Sequence, residues 1–510
     1  MNKLFALSKW VHKYIGLLLI LFLMWMSVSG ILMNHPEWIS RLTVPATLIP
    51  DPYDVHDWNQ GTLRDAVFHE NGRDVYFAGI RGIWKSSDGG QSFEAFDRGL
   101  SPSLFYQKTN DLYYDKNTST ILSGTDGGLF FSSDNDSEWT PVQLSNNKID
   151  KVKKILKTRD HFLIITDSEA FISSDAMGPY KPHDLPRPET GVELIKLFFD
   201  LHDGKVWGLP GKLFFDLVGL ILFFLSVSAF FLWFFPKVRK KQKLLWKEKL
   251  RVMYRFCFKY HLKWGIWFAA PLLIIGGTGL FMRPPLLIIL ADQVVSRSLY
   301  PGPLSPNPWH KKIKNAVYLE STDQVIIEAD GLWLGSTRNE APFSKLNWDS
   351  PIFVMGTNVL EETAPGQFLM GSFSGLLDFE PETGVITDHL TNQPAPDRSK
   401  VRITGFRVTG YFQTPSGQEY ISSHHAGLME IGATETSAQA FPTPKALKEN
   451  GKMPLWDFLF ELHNGRIFSK WIGNWSKLLV PLGAFLFVLL SLTGIFDWFM
   501  LSVINPRKFK

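Results

Sequence analysis

The chain has 510 residues, 45% hydrophobic, 14% aromatic and 20% charged, with a formal net charge of +4. That apolar and aromatic content excludes a disordered, collagenous or low-complexity chain, and the near-balanced charge leaves no global nucleic-acid footprint. Cys257 is the single cysteine, which excludes a disulfide framework, a cysteine-rich zinc site, a thiolate-held iron–sulfur cluster and C-x-x-C-H haem attachment.

Residues 1–36 read as a cytoplasmic N-terminus and first membrane span, because 14–33 carries no charge. Three further uncharged stretches follow at 217–235, 264–282 and 478–496. Each matches the roughly 20 apolar residues that cross a bilayer core. Lys3, Lys9 and Lys13 ahead of the first stretch also fit a cleaved signal peptide. The run, however, exits into Asn34-His35-Pro36-Glu37 and not a small-residue cleavage site, which favours a retained helix.

Residues 37–200 form a first external segment with three hairpin-like units. Ser86, Asp88 and Phe93 recur in spacing as Ser132, Asp134 and Trp139, and again as Ser173, Asp175 and Tyr180. The spacing resembles the Asp-box, a turn motif of β-propeller blades; the second unit has Asp136 at the glycine position, and the third shifts its glycine to Gly178. Aspartate in such a turn bonds its own backbone, so the motif reads as structural. A second external segment, 286–460, echoes the units at Gly331, Gly375 and Gly427. Unit spacings of 46, 41, 44 and 52 residues fall in the range of propeller blades. Three blades cannot close a ring, so the segments either share one six-bladed propeller-like body or form two small β domains.

The second span, 201–235, is led in by Leu201-His202-Asp203-Gly204, and the fourth, 461–500, by Leu462-His463-Asn464-Gly465. Between them lie a loop at 236–263, with eleven Lys or Arg against Glu248 alone, and the third span at 264–285. The tail, 501–510, adds Arg507, Lys508 and Lys510. Basic residues in short loops mark the cytoplasmic side, so both termini and the loop are expected there. The loop's position between spans fits topology and anionic lipid better than nucleic acid.

The spans repeat. His12-Lys-Tyr-Ile-Gly16 opens the first and His261-Leu-Lys-Trp-Gly265 the third; eighteen residues from each histidine stand Gly30, in Ser27-Val-Ser-Gly30, and Gly279, in Gly276-Gly-Thr-Gly279. The second and fourth end in Leu225-Ser-Val-Ser-Ala229 and Leu490-Ser-Leu-Thr-Gly494, the fourth with four inserted residues. The expected fold is a polytopic α-helical membrane protein: a pseudo-twofold four-helix bundle from a tandem duplication, with large external all-β segments. The small residues either only pack helices or leave room for a flat cofactor.

His12 and His261 sit at equivalent places near the cytoplasmic face, and His202 and His463 near the outer face. A pseudo-twofold axis brings each pair together, an arrangement suited to two imidazoles on one haem iron; the alternative is that they only occupy the interface. Gly16 and Gly265, one turn on, would face the same way and admit a porphyrin edge. His35, matched by Pro284 in the second half, is a possible alternative outer ligand. The other histidines show no metal spacing and read as surface residues.

The His-x-x-x-Gly opening, the Leu-His-(Asp/Asn)-Gly lead-in and the Ser/Thr-Gly span ends resemble the PepSY-associated transmembrane helix family, over about a third of the chain. That resemblance implies a bacterial inner-membrane protein with haem b, here two, ligated by His12, His261, His202 and His463. It further implies electron transfer across the membrane, most naturally to a periplasmic ferric siderophore or other ferric chelate. No G-x-G-x-x-G fingerprint or P-loop is present, so the donor would be quinol or a separate cytoplasmic reductase. The external segments show no PepSY domain, and the rival expectation is a non-redox membrane-anchored module that binds or senses a periplasmic ligand or protein.

Overall fold

The computed structural model describes residues 2–133, 137–145, 149–188, 191–238, 244–291, 293–338, 341–348, 350–351, 355–395, 406–432, 441–449 and 451–504. Asp134 and Asp136 of the second turn unit, Arg239, Lys240 and Lys241 of the basic loop, and Arg507, Lys508 and Lys510 of the tail lie outside the described residues. The chain divides into two compact units: Met1–Ile39, Gly191–Leu304 and Trp456–Lys510 form one, and Ser40–Thr190 with Ser305–Leu455 the other.

The first unit is helical. Its main elements are α1 (Asn2–Asn34), α2 (Leu194–Asp203), α3 (Gly208–Val238), α4 (Leu244–Trp267), α5 (Ala269–Phe281), α6 (Leu455–His463) and α7 (Ser476–Phe499). Lys3–Asn34, Lys205–Lys237 and Arg466–Ile504 are each long and apolar enough to cross a bilayer. Leu19 and Leu23 of α1, Val218 and Leu222 of α3, Leu272 of α5 and Phe487 of α7 are buried together. Leu18, Leu21, Leu220 and Leu482, all more than half exposed, turn outward. In a chain this apolar such outward leucines face lipid tails. The protein is a membrane protein with bilayer-contacting helices.

The stretch at 264–282, expected as one span, is two helices, α4 and α5, meeting at 66°. The cause is Pro271. Its ring clashes with the carbonyl four residues back, that of Trp267, and it has no N–H to donate there. The helix therefore stops at Trp267 and restarts after Phe268, with Phe268 N–H bonding Trp264 O at 3.0 Å and Leu272 N–H bonding Phe268 O at 3.0 Å across the break. The equivalent position in the first half is Phe22, and α1 runs unbroken.

The Leu-His-(Asp/Asn)-Gly motif proves to be a helix stop. His202 and His463 occupy the last turns of α2 and α6. Gly204 (φ 79°) and Gly465 (φ 78°) follow in the left-handed conformation, which glycine adopts without Cβ strain. Asp203 and Asn464 accept from the backbone N–H of Lys205 (2.9 Å) and Arg466 (3.0 Å). Each histidine is thus set at a fixed turn ahead of its span.

Among the described residues the second unit contains six antiparallel sheets of three to five strands. Their first strands are β1 (Asp65–Phe68), β2 (Thr109–Asp115), β3 (Val152–Lys157), β4 (Asn315–Leu319), β5 (Val359–Ala364) and β6 (Val408–Gln413). Each packs beside the next, and β6 packs beside β1, closing a ring. Three sheets come from each external segment, and the segments share cores. Leu163 and Ile165 pack with Trp309 and Trp333 at one junction, and Trp58 and Phe77 with Phe412 and Tyr420 at the other. At the first junction Arg187, with a fully buried side chain, lies between the rings of Trp309 and Trp333 (4.3 and 4.4 Å) and pairs with Asp330 at 3.0 Å.

The first turn unit behaves as its residues dictate. Asp88 accepts from Ser86 Oγ (2.7 Å) and Ser92 N–H (2.9 Å), and Ser86 Oγ accepts from Gly90 N–H (2.8 Å). In the third, Asp175 accepts from Met177 N–H at 2.8 Å. The aromatics seven positions on, Phe93, Trp139 and Tyr180, are all buried.

Candidate functional site

All four repeat-related histidines use Nδ1 in the same way. His261 Nδ1 lies 2.8 Å from Ser228 Oγ near the end of α3, and His463 Nδ1 lies 2.8 Å from Ser29 Oγ near the end of α1. His12 Nδ1 meets Leu490 O (3.1 Å) and Thr493 Oγ1 (3.3 Å) on α7, and His202 Nδ1 meets Ile275 O (3.1 Å) and Thr278 Oγ1 (3.0 Å) on α5.

The chemistry fixes the tautomer. A carbonyl oxygen only accepts, so Nδ1 of His12 and of His202 carries the proton. Ser228 and Ser29 already donate their hydroxyls to Leu225 O (3.0 Å) and Trp25 O (2.6 Å). Each hydroxyl then offers a lone pair, which makes Nδ1–H the donor there too. In a neutral imidazole protonated at Nδ1 the free lone pair is on Nε2, the state in which a histidine ligates a metal.

The small residue after each hydroxyl lets the ring approach. A Cβ at Gly30 would stand 3.6 Å from His463 Cε1, at Gly279 3.1 Å from His202 Cε1, and at Gly494 3.0 Å from His12 Cε1. Ala229 fills the fourth position. The role of the span-end glycines is therefore to seat imidazoles. The hydroxyl was the feature sequence reading missed: it stands immediately before a small residue at all four span ends. The partners also cross between halves. First-half His12 and His202 bond second-half Thr493 and Thr278, while second-half His261 and His463 bond first-half Ser228 and Ser29.

His202 and His463 are brought together, with ring centroids 6.4 Å apart and planes crossed at 84°. Gly16 lies against α7, where a Cβ would be 3.5 Å from Leu490 Cδ1, while nothing stands within 4 Å of a Cβ at Gly265 or Gly277. His35 is placed differently. Nδ1 faces Glu37 Oε1 at 3.0 Å, Nε2 faces Asp216 Oδ2 at 2.7 Å, and the ring stacks on Trp38 at 3.8 Å. With both nitrogens facing carboxylates, it is a structural link and not a ligand in this arrangement. Among the described residues no group of three or more His, Cys, Asp or Glu side chains is positioned to hold a bare metal ion.

Apolar helices seating histidine pairs, joined in one chain to a large β unit, define an integral membrane protein with histidine sites at its helix ends. The family model described as the PepSY-associated TM region matches residues 9–500, and the chain belongs to that family. A search of curated proteins finds no match. Among solved structures, an ancestral GH74 enzyme matches at 18% identity with a TM-score of 0.21, over 26% of this chain and 20% of that one. Two structures of an extracellular domain from B. thetaiotaomicron also match. One is described as part of a one component system (10% identity, TM-score 0.35, 76% of this chain and 34% of that one). The other is described as part of a hybrid two component system (11% identity, TM-score 0.35, 78% and 36%). The chain thus spans a fifth to about a third of these three solved chains.

Proposed function

We propose that this is a di-haem b protein of the bacterial inner membrane that moves electrons outward to a periplasmic acceptor, most simply a ferric siderophore or other ferric chelate. Its helices form a pseudo-twofold four-helix bundle with both termini cytoplasmic, and the six sheets are the blades of a propeller outside. The observation that carries the reading is the common state of the four histidines. Each donates Nδ1–H to a helix-end oxygen, which leaves Nε2 free to coordinate, and the outer pair, His202 and His463, is brought together.

In this reading His12 and His261 hold one haem and His202 and His463 the other. Haem supplies one-electron redox chemistry when bound. The chain orients the imidazoles through Ser29, Ser228, Thr278 and Thr493, makes room through Gly265 and Gly277, and keeps water out with the Leu19, Leu23, Val218, Leu222 and Phe487 core. Electron supply falls to quinol or a separate cytoplasmic reductase. Reducing ferric iron weakens its hold by hard oxygen ligands, so iron leaves a chelator that stays intact.

Absorption spectroscopy tests the reading. Protein purified from haem-replete cells is expected to show the sharp α and β bands of reduced low-spin haem b. His12→Ala and His202→Ala should each remove a different half of the haem. A colourless preparation rejects the redox reading and leaves the non-redox binding module, and retention of all haem in both variants rejects the ligand assignment.

A further inference from the structure

We propose that Glu37, His35 and Asp216 form a proton relay at the ends of α1 and α3, by which the helical unit takes up a proton from external water as an electron reaches the outer histidine pair. The inference rests on the haem reading and adds the charge that accompanies the electron.

The relay runs from exposed to buried. The Glu37 side chain is 56% exposed, that of His35 5% and that of Asp216 14%. Glu37 sits in the short helix Pro36–Ile39. Asp216 lies within α3 and within the span Lys205–Lys237, where an ionisable side chain is costly and marks a functional candidate. The two ring nitrogens of His35 face the two carboxylates, Nδ1 at 3.0 Å and Nε2 at 2.7 Å. Each contact needs a proton between an imidazole nitrogen and a carboxylate oxygen. A neutral imidazole supplies one, so the three groups share one more, held on the ring or on a carboxyl. A proton entering at Nδ1 then releases another at Nε2, along two hydrogen bonds already formed.

Asn34 closes the inner end. Its side chain is buried, and Nδ2 donates to Asp216 Oδ1 at 2.9 Å and to Asp203 O at 3.4 Å. Among the described residues its Oδ1 is buried without a donor. The amide meets either state of Asp216: Nδ2 serves the carboxylate, and after a half-turn of the amide Oδ1 accepts from the carboxylic acid. Asp216 can therefore keep the proton. Of the other charges at this end, Lys212 lies 4.0 Å from Glu37, and Asp203 is paired with Lys205. From α6 the contact is the uncharged indole of Trp456, whose Nε1 donates to Met33 O at 3.1 Å.

The cluster adjoins the outer pair. Asp203, whose carbonyl Asn34 contacts, directly follows His202. Ser29, which seats His463, precedes Asn34 by five residues on α1, about 7.5 Å along the helix. The second half has no such cluster: aligned on the repeat, Arg283, Pro284 and Pro481 stand where the first half has Asn34, His35 and Asp216. An electron arriving at the outer pair attracts a proton to these neighbouring groups, and the proton in turn favours the electron. The proton comes from external water through Glu37 and His35. It returns there when the electron leaves for the ferric acceptor, so charge balances at both steps.

Redox titration of the full-length protein in neutral detergent at several pH values tests this, with the outer site identified by its loss in His202→Ala. Its midpoint potential should fall as pH rises, toward the limit of about 59 mV per pH unit for one proton per electron. His35→Gln and Asp216→Asn should each flatten that slope. Glu248→Gln, which removes an exposed carboxylate paired with Arg251, should leave it unaltered. A wild-type potential independent of pH, or variants that shift the potential with the slope intact, would overturn the proposal. Nitrogen NMR of histidine-labelled protein gives a second readout that needs no haem, with the His35 signals assigned by their loss in His35→Gln. The ring should change protonation with pH, and Glu37→Gln and Asp216→Asn should each move that change. A ring indifferent to pH or to both substitutions overturns the relay, in colourless and haem-bearing protein alike, whereas absence of haem by itself rejects only the redox reading.

Discussion

His261 Nδ1 and Ser228 Oγ stand 2.8 Å apart across the boundary between the two repeats. The hydroxyl donates to Leu225 O on its own helix, so it orients the imidazole without taking its proton. Removing such a second-layer partner typically costs 10–100-fold in metal affinity. If His12 and His261 hold an inner haem and His202 and His463 an outer one, as proposed, Ser228→Ala is expected to lower occupancy of the inner haem while leaving the outer one, and Ser29→Ala to do the reverse. Haem content per chain, with the midpoint potential of what remains, checks this. Equal loss at both sites in either variant would contradict the pairing.

Gly494 gives a steric version of the test. A Cβ there comes within 3.0 Å of His12 Cε1, closer than ordinary contact. Gly494→Ala should shift the inner haem's spectrum or potential, and Gly494→Leu should abolish its binding.

Arg187 locks the two external segments to each other. Truncating one partner of a buried ion pair costs about 3–5 kcal/mol, so Arg187→Ala should markedly lower the Tm of the β unit. Burial would raise the Asp330 carboxyl, but Lys312 and Arg187 outweigh it and hold it below the usual carboxylate range. A depressed folded-state value contributes stability above the unfolded value of 3.8 that is lost as pH falls through and below it. Wild-type protein should therefore lose stability on acidification below about pH 4, and Arg187→Ala should lose less. Thermal melts across pH decide it.

Asp65 has the opposite sign. Burial and the neighbouring Asp111 push its carboxyl up to about 7, against Lys154 and two backbone N–H donors. The folded state therefore holds a proton that the unfolded chain releases near 3.8. Stability should fall as pH rises from 3.8 to about 7 and level off above it. Asp65→Asn should flatten that slope, and an unchanged slope would assign it elsewhere.

Pro271 sets the bend between α4 and α5. Pro271→Ala restores a donor for Trp267 O and should lengthen the distance between spin labels at Lys259 and Phe281, measured by pulsed electron paramagnetic resonance. His261 and Thr278 lie on opposite sides of the bend, so straightening should disturb haem binding as well.

The spans were legible because charge is scarce in them, and the repeat because histidine and glycine keep their offsets. The bend at Phe268 was only half legible: Pro271 and Pro481 both interrupt apolar stretches, yet only beside Pro271 does the helix break. The hydroxyls of Ser29, Ser228, Thr278 and Thr493 were in view but counted as small residues. Their histidine partners lie elsewhere in the chain, from 33 residues away for Ser228 and His261 to 481 for Thr493 and His12. His35 was open to assignment because Asp216, which faces it, is 181 positions away. Local turns such as Ser86–Asp88 followed directly from spacing, whereas the closure of β6 on β1 depends on contacts between segments separated by two spans.

The crossing of hydroxyl and histidine between halves bears on how such a chain arose. A single half, cut free, would keep its histidines and its Ser/Thr-small span ends but could not match them to each other. Two copies facing each other could. The repeat has the form of a symmetric dimer joined into one chain, and coexpression of residues 1–243 and 244–510 as separate chains should reassemble the four histidine seats that neither piece builds alone.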